Sequence, residues 1–195
     1  MPVNIALTGH LRSGKDTVGA YLTERYGYTR FAFGDELKRY ANDIFDVNGS
    51  AKPRELYQWF GQTMRERDPD VWVRKCFDKI SEYRVLKERA DAYRLISLGR
   101  FSVSFRVVIS DLRQQNEYAR CRYEGFVIIR VAAPEGVRIN RAIQSVDTFK
   151  LVDLHHETES HVNTFAVDYE IVNDGSVEDL YAKVDAIMAE VGARA

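Results

Sequence analysis

Gly9-His10-Leu11-Arg12-Ser13-Gly14-Lys15-Asp16-Thr17 decides how the rest of this sequence is read. The run follows an apolar, strand-like segment, Val3-Asn4-Ile5-Ala6-Leu7, and precedes one in which Val18, Tyr21 and Leu22 share a helical face. Strand, glycine-rich turn, lysine and helix make a phosphate-binding layout. Glycines let backbone N–H groups point at phosphate oxygens, and the helix N-terminus adds its positive dipole end. Lys15 then reaches the β- and γ-phosphates. In the usual pattern a Ser or Thr follows the lysine and ligates Mg²⁺. Here Asp16 takes that slot, a hard oxygen ligand that binds Mg²⁺ directly or through water. Thr17, one residue later, is placed to bond an α-phosphate oxygen. The expected phosphate-binding set is Gly9, Arg12, Ser13, Gly14, Lys15, Asp16 and Thr17. The plainer alternative, a glycine turn with an exposed lysine, fits the flanking strand and helix poorly.

The chain of 195 residues is long enough for one domain with a proper core. Its 45% apolar and 29% charged content is ordinary for a globular protein. A net charge of −1 gives no bulk attraction to nucleic acid or anionic membranes, so neither is expected as a partner. No apolar run spans a bilayer, and the first residues lack a basic region and a secretory core. The expected location is cytoplasmic, the host cytoplasm if the chain is phage-encoded. Cys76 and Cys121 form no metal-binding spacing and read as reduced core residues.

Beyond the first helix, Thr29–Phe33 reads as a short strand, and Gly34-Asp35 opens a helix to about Asp46. Asn48-Gly49-Ser50 is a turn. Leu56, Trp59, Phe60 and Met64 then recur at helical spacing. Asp68 is a natural N-cap and Pro69 a natural first residue for the next helix, whose buried stripe is Val73, Cys76, Phe77 and Ile80. A charged helix is expected to about Ala92, followed by a loop or edge hairpin. Phe105–Ser110 is a strand with Asp111 just past its end. Arg113–Tyr123 is helical, Phe126–Val131 a buried strand, and 134–160 helix-rich and charged. Asp168–Val172 is the last strand. Ser176 and Asp179 make a capping box for a final amphipathic helix through Val177, Leu180, Tyr181, Val184, Ile187, Met188 and Val191. Strands alternating with helices predict an α/β fold: a five-stranded parallel sheet with helices on both faces and ligands at the strands' carboxyl ends.

An aspartate closing an apolar strand, as Asp111 does after Val107-Val108-Ile109-Ser110, orients Mg²⁺ or its waters in phosphate-loop enzymes. Asn-Lys-x-Asp is absent and Asp111 is not followed by x-x-Gly, which argues against a GTPase switch. Arg113 stands at the mouth of the expected site, where a guanidinium stabilises charge on a moving phosphoryl group. Arg138 and Arg141 share a helical face in the interval where compact kinases carry a lid. Arg65, Asp70, Trp72 and Arg74 flank Asp68. Asp70, Trp72 and Arg74 fall off the buried stripe, so a base-stacking tryptophan with arginines for a monophosphate is one reading and a solvated helix start the other. His155-His156-Glu157, with Glu159 and His161, fits no compact zinc motif and reads as a polar segment.

Together these pieces resemble the phage-type deoxynucleoside monophosphate kinases of the wider nucleoside monophosphate kinase group. Arg12-Ser13-Gly14-Lys15-Asp16-Thr17 matches that family's phosphate loop, including its Asp-Thr variation. Phe31–Lys38 looks like its Phe-Ala-x-x-x-x-Leu-Lys segment, in which Leu37 and Lys38 would touch the acceptor nucleotide. Gln58-Trp59-Phe60-Gly61 and Asp68-Pro69-Asp70-Val71-Trp72-Val73 are similar to Gln-Trp-x-Gly and Asp-Pro-Asp-x-Trp-Val. Asp111–Glu117 fits Asp-x-Arg-x-x-Asn-Glu, and His156-Glu157-Thr158-Glu159 fits His-x-Ser-Glu with Thr for Ser. The ending Asp168-Tyr169-x-Ile171-x-Asn173-x-Gly175-Ser176 also fits. Residues 82–100 look like an insertion, and the lid arginines align only by position.

The resemblance implies a P-loop NTPase fold in one domain, with a monophosphate-binding helical region at about 34–92 and a lid at about 134–160. It implies Mg²⁺-dependent transfer of the ATP γ-phosphoryl to a deoxynucleoside 5′-monophosphate. Lys15, Arg113, Arg138 and Arg141 would be catalytic, with Asp16 and Asp111 at Mg²⁺. Leu37, Lys38, Arg65, Asp70, Trp72, Arg74 and Arg113 would hold the acceptor. A homodimer is conceivable on the same basis. Two alternatives remain: a phosphomevalonate-type kinase, which shares the Gly-Lys-Asp loop and Asp-x-Arg strand end, and a nucleotide-binding module without turnover.

Overall fold

A computed structural model describes residues 3–47, 53–98, 105–144 and 161–194. The expected turn at 48–50, the end of the 82–104 stretch, the lid beyond Gln144 and the segment from His155 to Glu159 lie outside them. Strand β1 (Ile5–Thr8) leads into α1 (Lys15–Tyr26), then β2 (Thr29–Phe31), α2 (Phe33–Phe45), α3 (Arg54–Arg67) and α4 (Val71–Leu98). Strand β3 (Val107–Leu112), α5 (Gln115–Tyr123), β4 (Val127–Ala132), α6 (Glu135–Gln144), β5 (Tyr169–Val172) and α7 (Val177–Arg194) follow.

The five strands form one sheet in the order β2-β3-β1-β4-β5. Its β1–β3, β1–β4 and β4–β5 pairs run parallel. The strand that ends at the phosphate loop is therefore central, flanked by two strands remote from it in sequence. Its carboxyl end is a topological switch point, where open α/β sheets bind ligands. Ile5, Leu7, Val108, Ile129, Val131 and Ile171 share one core cluster with Val18 and Leu22 of α1 and with Leu180, Val184, Ile187, Met188 and Val191 of α7. The alternate residues Ala6, Val107, Ile109 and Ile128 are equally buried, so both faces of the sheet are covered. That explains why these strands read as continuous apolar runs rather than alternating ones.

The chain divides into two compact units, residues 1–30 with 106–195, and residues 31–105. The first holds the loop after β1 and most of the sheet. The second is helical. Leu37, Ala41, Phe60 and Trp72 make its core, with Tyr40, Tyr57, Met64 and Val71 packed around them. Val73, Cys76, Phe77 and Ile80 are buried as the helical stripe requires.

Several elements differ from expectation. Helix α4 continues past Ala92 to Leu98, because Tyr93-Arg94-Leu95-Ile96-Ser97-Leu98 contains no breaker before Gly99. Asp68 ends α3 instead of opening α4: its N–H donates to the Met64 carbonyl at 3.0 Å. A turn through Pro69 and Asp70 follows, and Asp68 Oδ1 accepts the Asp70 N–H at 3.2 Å. Asp111 lies within β3, not past its end. Trp59, placed on the α3 stripe, is exposed. The Ser176–Asp179 box forms as read, Asp179 donating its N–H to Ser176 Oγ (3.1 Å) and accepting the Ser176 N–H (3.0 Å).

Candidate active site

The loop after β1 is shaped by two glycines. Gly9 has φ 144°, and a side chain there would run into the Val131 carbonyl oxygen of neighbouring β4. Gly14 caps α1 at φ 105°, and a side chain there would collide with the amide of Asn173. Both are backbone conformations that L-residues rarely adopt. Arg12 also takes a left-handed conformation at φ 63°, a strained state of the kind that clusters at ligand-binding loops. Lys15, the first residue of α1, is buried, and its ammonium folds back over the loop. It donates to the carbonyls of Gly9 (2.5 Å) and His10 (2.8 Å). The lysine thus stands over the loop rather than in solvent, against the reading of an exposed lysine on a turn. Asp16 is exposed in the first turn, with Thr17 half-buried beside it.

Strand β3 brings Asp111 alongside. Ala6 pairs with Ile109, yet Thr8 pairs with Leu112, so β3 carries one extra residue where it passes the end of β1. A bulge re-aims side chains locally, and this one falls at Ser110-Asp111. Asp111 is half-buried inside an otherwise buried strand. Arg113 follows in a connection fixed by Glu117. That buried carboxylate accepts the N–H groups of Arg113 (2.8 Å) and Gln114 (2.9 Å). Glu117 therefore holds the segment carrying Arg113.

Arg138 and Arg141 both sit on α6. Arg141 donates to Asn173 Oδ1 at 3.2 Å and lies 3.4 and 3.5 Å from the carbonyls of Arg12 and Ser13. Arg138 is buried, and its Nε and Nη1 have no hydrogen-bond partner among the described residues. A buried guanidinium with unused donors is suited to an anion.

Asn173 joins these parts; the sequence places it in the terminal motif without giving it a role. Its side-chain amide donates to the Ser13 carbonyl at 2.8 Å, its backbone N–H to Ala132 at 2.7 Å, and its Oδ1 accepts from Arg141. A cavity of about 220 Å³ opens there, lined by Gly14, Thr17, Arg141, Asn173, Gly175 and Val177, among others. The available signal was positional: Asn173 is the first residue past β5, at the carboxyl edge of the sheet.

The overall fold is shared with known proteins. Shikimate kinase from Acinetobacter baumannii superposes with a TM-score of 0.54 at 17% identity, covering 97% of this chain and 94% of its own. A gluconokinase from Sinorhizobium meliloti superposes with a TM-score of 0.54 at 18% identity, covering 99% and 95%. The fold is that of the P-loop kinases. In sequence, the chain is 26% identical over 200 residues to a protein of Acanthamoeba polyphaga mimivirus named "Putative deoxynucleotide monophosphate kinase". That match covers 93% of this chain and 94% of the relative, and it bears out the resemblance carried by the motifs. No family model matches the chain.

Of the expected acceptor-side residues, Arg113 lies on the sheet unit, and Leu37, Lys38, Arg65, Asp70, Trp72 and Arg74 lie on the helical unit, in two environments. Leu37 and Trp72 belong to its core. Trp72 was expected off the buried stripe and is 3% exposed. Its ring packs on Phe60 and Tyr40, and its indole N–H donates to the Gly61 carbonyl at 3.2 Å. The correction has a simple cause. Helix α4 starts at Val71, so Trp72 is in its first turn against α3, where its large apolar surface is best buried. Lys38, Asp70 and Arg74 are exposed and Arg65 is half-buried. Lys38 lies 3.9 Å from Asp35. Arg74 pairs with Asp68 through both guanidinium nitrogens, and this holds the Asp68 carboxyl below its ordinary range.

The chemistry of a hard divalent cation suits the two carboxylates present, Asp16 and Asp111. Among the described residues no group of three or more His, Cys, Asp or Glu forms a cage. Mg²⁺ in kinases is bound by one or two carboxylates together with substrate phosphates and waters, so a cage is not what this ion needs. Among the described residues no helix is long and apolar enough to cross a membrane. Burial drives the Cys121 thiol far above its usual pKa, leaving it inert near neutrality.

Proposed function

We propose that this protein is an ATP-dependent deoxynucleoside monophosphate kinase, transferring the γ-phosphoryl group to a deoxynucleoside 5′-monophosphate to give the diphosphate and ADP. The observation that carries the proposal is Lys15 held over the glycine loop at the switch point of a P-loop kinase fold. The deoxynucleotide acceptor rests on the motifs of the helical unit and on the name of the mimivirus relative.

In this reading the loop amides and Lys15 bind the donor phosphates. Asp16 and Asp111 would hold Mg²⁺, which would supply positive charge against the donor phosphates. Arg113 and Arg138 face the transferred group with donors. Arg141 and Asn173 border the cavity beside Gly14 and orient the nucleoside end of the donor. Leu37, Lys38, Arg65, Asp70 and Arg74 serve the acceptor, with Trp72 as their packed support. An acceptor phosphate is already ionised and nucleophilic at neutral pH. No general base is needed, and catalysis is positioning plus electrostatics.

The test is ADP release from ATP and Mg²⁺ with dGMP, dTMP, dCMP and dAMP, their ribo counterparts and phosphomevalonate. Turnover with a deoxynucleotide is expected, and Lys15→Ala should lower it about 10²–10³-fold, the scale of losing one preorganised charge donor. Turnover with phosphomevalonate alone would replace the acceptor assignment. ATP binding without acceptor-dependent ADP release would make the chain a binding module.

A further inference from the structure

Residues 161–168 form a strap that leads into β5 and is fastened along its length. Val162 and Phe165 are buried. The Phe165 ring stacks on Tyr118 of α5, with centroids 4.7 Å apart and planes 6° from parallel. The Tyr118 hydroxyl donates to the Ala166 carbonyl at 2.9 Å, and Arg130 of β4 donates to the Phe165 carbonyl at 2.6 Å. Arg122 pairs with Asp168 at 2.6 Å. At its start the strap turns tightly, Thr164 donating both its N–H (2.9 Å) and its hydroxyl (2.8 Å) to the His161 carbonyl. Asn163 and Thr164 are exposed on that turn, and each reaches a different part of the site. Thr164 Oγ1 accepts from the side chain of Gln115, two residues beyond Arg113, at 3.3 Å. Asn163 Oδ1 lies 3.1 Å from His10 Nε2, in the loop after β1.

We propose that Asn163 is a positioning residue of the phosphate loop: it holds the His10 side chain, and with it the carbonyl on which the Lys15 ammonium rests. Two carbonyls support that ammonium, those of Gly9 and His10. Gly9 is set by the sheet, packed so closely on the Val131 carbonyl that no side chain fits. His10 stands one residue further out and is half-buried. Its carbonyl has two duties, accepting the Ser13 N–H at 3.1 Å as well as Lys15 at 2.8 Å. Rotation of this one peptide would therefore disturb both the turn of the loop and the seat of the lysine. Asn163 supplies a tether against that rotation, from a turn whose neighbours Val162 and Phe165 are anchored in the core. With Oδ1 as acceptor, His10 Nε2 carries the proton. Asn163 touches no phosphate itself and acts through His10 and Lys15, in the way that a fixed surround preorganises a charged donor. The proposal rests on the reading of this loop as the ATP site.

Calorimetric titration of Mg·ATP into the full chain, with steady-state ADP release measured beside it, tests the assignment. Asn163→Ala should weaken Mg·ATP binding about three- to tenfold, the scale of one hydrogen bond. The acceptor KM and the melting temperature should stay unchanged, since an exposed hydrogen bond adds little to folding. His10→Ala should weaken Mg·ATP by a similar factor. In a His10→Ala chain the further change Asn163→Ala should have no additional effect, because the two residues act as one unit. Affinity indifferent to Asn163→Ala, or an equal further loss in the His10→Ala chain, would overturn the proposal. So would a fall in melting temperature that accounts for the lost affinity, which would assign Asn163 to folding instead. Binding and turnover separate this inference from the kinase reading. A chain that binds Mg·ATP with the expected dependence on Asn163, yet releases no ADP with any acceptor, keeps the positioning role and loses the kinase reading. A chain that binds no Mg·ATP loses both.

Discussion

The phosphate-loop unit and the helical unit use their polar residues in opposite ways. Around the loop, polar side chains are drawn inward and spent on backbone atoms. Lys15 binds two carbonyls, Asn173 the Ser13 carbonyl and Arg141, and Glu117 two successive N–H groups. In the helical unit the charged residues pair mainly with one another, as Arg74 does with Asp68 and Arg39 with the buried Glu36 and with Asp43. There Phe33, Phe60, Trp72 and Phe77 go inward. A loop that must cradle a polyanion needs its backbone fixed from behind, and buried hydrogen bonds do that at the cost of demanding complete satisfaction. A helical module that must present a few side chains needs only a firm apolar floor, and Leu37, Phe60 and Trp72 supply it.

The largest expected effect tests that floor. Trp72→Ala should cost about 3–5 kcal/mol of stability by denaturant unfolding, the range for removing a large buried aromatic. Trp72→Phe keeps most of the packing and loses only the bond to Gly61, so it should cost far less and leave the acceptor KM unchanged. A Trp72→Phe variant of full stability with a raised acceptor KM would break the comparison, because the ring would then be touching substrate.

This residue also marks the limit of what the sequence made legible. The strand–loop–helix signal around Gly14 and Lys15 is local, with apolar periodicity, turn chemistry and charge all agreeing within a dozen positions. The same holds for the Ser176–Asp179 box and the apolar strands. Trp72 was misplaced although it stands four residues before Cys76 and so falls near the same face; what buries it is tertiary packing on Phe60 of α3 and Tyr40 of α2, which no local pattern reports. Asn173 was missed for a different reason. Its partners Ser13 and Arg141 lie 160 and 32 residues away, and no periodicity reports a contact made across a sheet edge. The extra residue in β3 was likewise invisible, since it is defined only by pairing with β1.

A smaller effect is expected from the buried polar side of the comparison. Asn173→Ala removes the donor to Ser13 and the acceptor for Arg141 in one step. Affinity for Mg·ATP, measured by titration calorimetry, should fall about tenfold, in line with the loss of one or two buried hydrogen bonds. Arg141→Ala should fall by a similar factor, and the double variant by no more than the worse single, because both act through one network. Additive losses would mean that Arg141 and Asn173 serve the nucleotide separately.

The smallest effect sets one surface carboxylate of each unit against the other. Asp185 on α7 accepts hydroxyl bonds from Tyr26 (2.7 Å) and Tyr21 (2.9 Å), and these hold its carboxyl below the ordinary range. Burial, and then the same contact, push the Tyr26 phenol up to about 12. Asp68 in the helical unit is lowered too, but by the Arg74 guanidinium first. For both, the folded pKa lies below the unfolded one. Each contribution is therefore fully present above the unfolded carboxylate pKa and is lost as pH falls through the folded value. The causes differ, and salt separates them. An exposed ion pair is screened, whereas hydrogen bonds from neutral phenols are not. Melting curves between pH 2 and 7 should show Asp68→Asn flattening part of the acid dependence at low ionic strength and almost none of it at about 1 M salt, where the Debye length shrinks to about 3 Å. Asp185→Asn should flatten its share equally at both. Equal salt sensitivity of the two variants would mean that the sheet unit, like the helical one, spends this carboxylate on charge rather than on hydrogen bonding.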